Sequence, residues 1–176
     1  INADGRVVAR GGAGQKVTGF IANGTDAIGD ANGADTRLVY VEPATATNGG
    51  NTSLVGFNVT DALADELIAP FGAVDRTESR SLIAWGRGQD VDDEDGDGDV
   101  AEARQWIFGD AMHSQPLALN YGAYGGYSET NPLIRLFVGT NDGLLHVIEN
   151  TDTAGRESGR EIAAIYPREV LGNLKF

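Results

Sequence analysis

Cysteine is absent from the chain, which excludes disulfide frameworks, thiolate metal sites and cysteine nucleophiles together and leaves the redox compartment open. Histidine occurs only as His113 and His146, too few for a three-histidine metal site. Basic residues number 13 against 26 acidic ones, a formal net charge of -13. A field of that sign does not attract nucleic acid or an anionic lipid surface. No run of about 18 apolar residues occurs, so no membrane insertion is expected. The chain opens at Ile1 without a basic-then-apolar leader. No targeting signal is legible there, and a processed protein or excised fragment is expected.

Two features stand out among what is present. Glycine occurs 25 times in 176 residues, roughly twice its usual share of about 7% and without collagen period, which points to many tight turns and a β-rich chain. The acidity is concentrated: Asp90, Asp92, Asp93, Glu94, Asp95, Asp97, Asp99 and Glu102 fall in one segment with no base among them, leaving 18 acidic against 13 basic residues elsewhere. With 41% apolar residues, the remainder has the composition of a chain that folds around a core.

Residues 1–35 read as loops with one or two weak strands, at Val7-Val8 and Val17–Ile21. Clearer β-signals follow at Arg37–Glu42 and Ser53–Thr60, with Ala44–Thr52 as a hairpin connection. Asp61 is placed to cap a short helix with Leu63, Ala64, Leu67 and Ile68 on one face and Pro70 at its end. Asp75 and Glu78 have capping-box spacing ahead of Leu82, Ile83 and Trp85, with Gly86 placed as the stop. Strands are expected again at Gln105–Phe108, Leu117–Tyr121, Leu133–Gly139, Leu144–Glu149 and Glu161–Tyr166. Asn141-Asp142-Gly143 reads as a tight hairpin turn, and Pro167 as the start of a final helix carrying Val170, Leu171 and Leu174.

The acidic segment, residues 90–102, has the pattern of a calcium loop. Calcium takes six to eight hard oxygens, and carboxylates at alternate positions of a turning loop can converge on one ion. With Asp93 at loop position 1, Asp95 and Asp97 fall at 3 and 5 and Gly98 at the turning position 6. Asp99 then offers its carbonyl at 7, and Glu102 closes the shell from position 10. Position 12 is Arg104, which cannot ligate, and position 9 is Ala101, which needs a water. A frame starting at Asp95, with Asp97 and Asp99, is the alternative, and it loses the glycine. Magnesium fits less well, since it prefers few protein ligands and retained water. A solvated acidic insertion is the plain competing reading.

Gly109-Asp110-Ala111-Met112-His113-Ser114-Gln115-Pro116, followed by Phe137-Val138-Gly139-Thr140-Asn141-Asp142-Gly143-Leu144-Leu145-His146, resembles the C-terminal propeller domain of the PilY family of type IV pilus biogenesis factors and tip adhesins. The resemblance extends through Gly159–Pro167 and Leu171–Leu174 and back to Leu82–Asp90, about half of the chain. It implies a quinoprotein-like β-propeller, of which 176 residues supply two or three blades at roughly 40–50 residues each. The expected fold is therefore mostly β, a partial propeller with short helices and a long acidic metal-binding loop, forming a single domain or a fragment of a larger one. The resemblance further implies a non-enzymatic, Ca²⁺-binding segment of a pilus-tip adhesin or assembly protein, exported through the periplasm to the cell surface. Its partners would be pilins or minor pilins and host or surface receptors, and the family's Asp-x-Asp-x-Asp calcium loop is linked to pilus extension and retraction.

Other functions compete with that expectation. A quinoprotein dehydrogenase shares the propeller type and uses calcium beside its cofactor, but the repeated Thr-Gly-x-x-x-Trp blade closures it should carry are absent. A glycan-binding module would use the aromatic loop of Tyr121, Tyr124 and Tyr127. Asp110, His113 and Ser114 supply the residue types of a hydrolase triad within five positions, yet triads are assembled from distant segments, and turn hydrogen bonding is the expected role. His146, set in an apolar strand, reads as a satisfied interior histidine. Trp85 and Trp106 read as core or interface residues.

Overall fold

The computed structural model describes residues 13–17, 37–44, 53–104 and 107–175. Its elements are α1 (Ala13–Val17), β1 (Val39–Val41), β2 (Val55–Gly56), α2 (Asp61–Phe71), α3 (Arg76–Arg87), β3 (Leu117–Asn120), β4 (Ile134–Gly139), β5 (Leu145–Glu149), β6 (Glu161–Tyr166) and a 3-10 helix, Arg168–Lys175. The strands form one open, mixed sheet in the order β2-β1-β6-β5-β4-β3. Strands β3 to β6 are a four-stranded antiparallel meander, and β1 extends it by pairing parallel to β6. The Asp-Gly turn between β4 and β5 forms as expected, with Gly143 at φ 85°, a conformation that a side chain disfavours. The expected strands at Val7-Val8, most of Val17–Ile21 and the connection 45–52 lie outside the described residues. So do Gln105 and Trp106, while Ile107 and Phe108 lie in no strand.

Helix boundaries shift from the expected ones for local reasons. Thr60, not Asp61, is the N-cap of α2, its hydroxyl accepting from Leu63 N. Pro70 lies inside the last turn instead of ending the helix. The stop is Gly72 at φ 64°, where backbone N–H groups of Gly72 and Ala73 reach Ala69 and Ile68 carbonyls, a left-handed cap that glycine suits. Asp75 does cap α3, accepting from Glu78 N at 2.9 Å. That helix runs through Gly86 and stops at Gly88. Gly86 has a packing role: a Cβ there would lie 3.0 Å from Phe57 Cε1 and 3.2 Å from Tyr166 Oη.

The pairing register gives the sheet two unlike faces. Val39, Val41, Ala164, Tyr166 and His146 share one face, and the core forms there with Leu63, Leu67 and Phe71 of α2, Ile83 of α3, Phe57, and Leu171 and Leu174 of the 3-10 helix. Each fully buried Leu, Ile or Phe contributes about 1.5–3 kcal/mol relative to exposure. The opposite face carries Tyr40, Ile165, Leu145, Ala163, Val147, Phe137 and Leu117 in adjacent register. Most of these are half-buried, and Leu117 is exposed. No membrane-crossing helix occurs among the described residues, none being long and apolar enough.

Candidate metal centre

The acidic loop is a closed excursion from α3. Gln89 bridges Ala103 in antiparallel fashion, Asp90 N donates to Glu102 O at 2.9 Å, and Arg104 N donates to Gly88 O at 2.8 Å. One residue upstream, the buried Arg87 guanidinium donates to the carbonyls of Phe57 and Arg37. At the exit, Arg104 lies over the Trp85 ring at 3.8 Å, donates to Trp85 O and sits 3.7 Å from Glu94. The residue that cannot serve as a twelfth-position ligand is therefore the loop's anchor. Trp85 packs against the core beside it.

Inside the loop, short carboxylates hold the backbone in successive turns. Asp93 Oδ1 accepts from Gly98 N at 3.0 Å, Asp95 Oδ1 from Asp97 N, Asp97 Oδ1 from Asp99 N, and Asp99 Oδ1 from Ala101 N. Asp93 adopts φ 52°, and Gly96 and Gly98 are also left-handed. This curvature brings carboxylates from alternate positions together. Two groups form in which one carboxylate oxygen per residue lies within 4.8 Å of the others: Asp93, Asp95 and Asp97, and Asp90, Asp95 and Glu102. Asp95 belongs to both, and Asp99 to neither. Asp90 is buried, its two oxygens accepting from Glu94 N at 2.9 and 3.0 Å.

Sequence spacing singles out Asp93, Asp95, Asp97 and Glu102, which fall in these groups, and Asp99, which does not, and it passes over Asp90. Its position depends on the bridge that sets residue 90 beside residue 102 across the loop base. The electrostatics of the site follow from this crowding. Desolvation, and then the charges of Asp97, Asp95, Asp99 and Asp90, push the Glu102 carboxyl above its ordinary range. A dication would reverse that penalty, and the donor set, all hard oxygens on a turning loop, fits calcium chemistry.

No family model, curated protein or solved structure matches this chain.

The other candidate residues are scattered. Ser114 Oγ accepts from Gly139 N at 3.1 Å and Asp110 O accepts from Asn141 N, strand-entry and turn contacts, while His113 is exposed. Tyr127 is anchored, its hydroxyl donating to Glu149 Oε1 or Thr151 O at 2.7 and 3.0 Å, with Arg135 over its ring. Tyr121 and Tyr124 are exposed.

Proposed function

We propose that this chain is a non-enzymatic, calcium-binding segment of a β-propeller, serving a pilus-associated adhesin or assembly protein at the cell surface through protein contacts. The observation that carries the reading is the convergence of Asp93, Asp95 and Asp97, with Asp90 and Glu102 alongside, on a loop whose base is tied to α3 through Arg104 and to the segments flanking β1 and β2 through Arg87. The meander β3–β6 supports the propeller part of it, since a blade is a four-stranded antiparallel sheet. So does the apolar second face, because blades stack face to face on their neighbours. The partners, pilins and surface receptors, rest on the sequence resemblance. Calcium here would neutralise and order a loop of mutually repelling carboxylates and so present a defined surface.

The test is calorimetric titration of chelator-stripped protein with Ca²⁺ and then Mg²⁺, with thermal unfolding in parallel. Saturable binding that prefers Ca²⁺, with a Tm that rises by mass action, is the expected result. Weak binding without preference would reduce residues 90–102 to a solvated insertion.

A further inference from the structure

His146 lies in the interior on β5, fully buried, with the Phe108 ring stacked on it at 4.2 Å between centroids. Both of its nitrogens have partners. Nδ1 is 2.6 Å from Glu161 Oε2 on β6, and Nε2 is 3.0 Å from Thr140 Oγ1 at the end of β4. Glu161 is gripped from its other side by Arg37, at 2.6 Å from Nε and 3.1 Å from the second guanidinium nitrogen. Thr140 Oγ1 also contacts Asp142 Oδ1 and lies 3.1 Å from Leu144 O, while Leu144 N donates to Asp142 Oδ1.

Counting protons along this chain of contacts fixes the ionic form that satisfies it. A carboxylate only accepts, so Nδ1 carries the proton shared with Glu161. The Thr140 hydroxyl has one proton, and two of its three neighbours, the Asp142 carboxylate and the Leu144 carbonyl, only accept. Once that proton points at either of them, the contact with His146 is a hydrogen bond only if Nε2 is the donor. Both nitrogens are then protonated. Glu161 and Asp142 are the anions along this chain of contacts, and Arg37 is the cation paired with Glu161. From the exit of the acidic loop, buried Arg104 adds a cation toward Asp142. Tyr166 on β6 contributes no charge, since burial drives its phenol well above the usual range.

We propose that His146 is an imidazolium in the folded protein and that its proton latches the Asn141-Asp142-Gly143 turn to the sheet, so that losing the proton frees Thr140 and Asp142. A neutral ring could only accept at Nε2, and Thr140 would have to withdraw its hydroxyl proton from Asp142 and Leu144 O to meet it. The turn that would loosen is one wall of a cavity of about 300 Å³ lined by His113, Thr140, Gly143, Leu144, Pro167 and Val170. The shape of that cavity thereby becomes proton-dependent. Gly109 already packs against the turn so closely that a Cβ would sit 2.8 Å from Asp142 Cγ, so small movements of Asp142 are transmitted to the strand-entry segment.

Long-range ¹H–¹⁵N spectra of the labelled, intact chain test the proposal, with His146 distinguished from exposed His113 by a His113→Gln variant. At pH 6 both His146 nitrogens are expected to show protonated shifts. As His146 loses its proton, the hydrogen-exchange protection of the Gly143 and Leu144 amides, corrected for the intrinsic pH dependence of exchange, should fall by about tenfold or more. In Asp142→Asn and Thr140→Val that protection should no longer follow the histidine. A singly protonated His146 at pH 6 in the folded chain would overturn the proposal, as would a His146 titration that leaves both amides unchanged. These two readouts need no substitution other than at exposed His113 and decide the matter even if Asp142→Asn or Thr140→Val fails to fold.

Discussion

Single atoms decide the stability of the interior at two positions. Gly86 sits in the middle of α3 between Phe57 and Tyr166 with 3.0–3.2 Å of room for a Cβ. Alanine there gains about 1 kcal/mol of helix propensity but overpacks the core, which costs about 1–3 kcal/mol. Gly86→Ala is expected to lower the urea midpoint, whereas an alanine at an open glycine such as Gly172, with only Pro70 O at 3.5 Å, leaves it nearly unchanged. Glu161 is the second position. Burial raises its carboxyl, but hydrogen bonds from His146 and Arg37 outweigh that and hold it below the ordinary range. A group with a depressed folded value adds stability above its unfolded pKa of about 4.3 and loses it as the pH falls through the folded value. Glu161→Gln should therefore destabilise the protein at pH 7, with the gap from wild type narrowing on acidification toward pH 3, as read from urea midpoints at each pH.

At the scale of elements, the helices depend on their caps and the acidic loop on its two ends. Asp75→Ala removes the side-chain acceptor for Glu78 N and should cost about 1 kcal/mol in chemical denaturation. Within the loop the carboxylates are unequal. Asp95 belongs to both convergent groups and Asp99 to neither, so Asp95→Ala should weaken Ca²⁺ binding far more than Asp99→Ala, measured by calorimetry on otherwise folded protein. Equal effects would mean that the loop acts as a diffuse negative charge. The alternation of aspartates with Gly96 and Gly98 is readable in sequence because side-chain spacing and left-handed turns are local properties. Asp90 is not, because its approach to Glu102 is made by the Gln89–Ala103 bridge. Pro70 and Gly86 were poor stop signals for a related reason. A proline in the last turn of α2 leaves room for the Gly72 cap, and the packing of Gly86 on Phe57 and Tyr166 outweighs its low propensity.

For the whole molecule, the charge distribution and the two-faced sheet set the behaviour. Eight acidic residues crowd a loop that carries no base between Asp90 and Glu102, so in chelator the Tm should rise when monovalent salt is increased from about 10 mM to 150 mM, over which the Debye length falls from about 30 to 8 Å. Saturating Ca²⁺ should remove most of that salt dependence by neutralising the loop directly. Equal salt dependence with and without Ca²⁺ would show that the loop's repulsion does not reach the folded core.

The local features are legible along the chain: strands β4, β5 and β6 nearly to the residue, the Asp142-Gly143 turn, the Asp75 cap and the run of carboxylates. Each depends on alternation, φ preference or hydrogen bonds within a few residues. Long-range packing sets the parallel pairing of β1 with β6, the reciprocal ties of Arg37 and Arg87, the Asp90–Glu102 approach and the chain of contacts from Glu161 through His146 to Asp142. Those join residues far apart along the chain, and their partners are chosen by which faces the sheet and helices bury together, a choice that no short stretch of sequence contains.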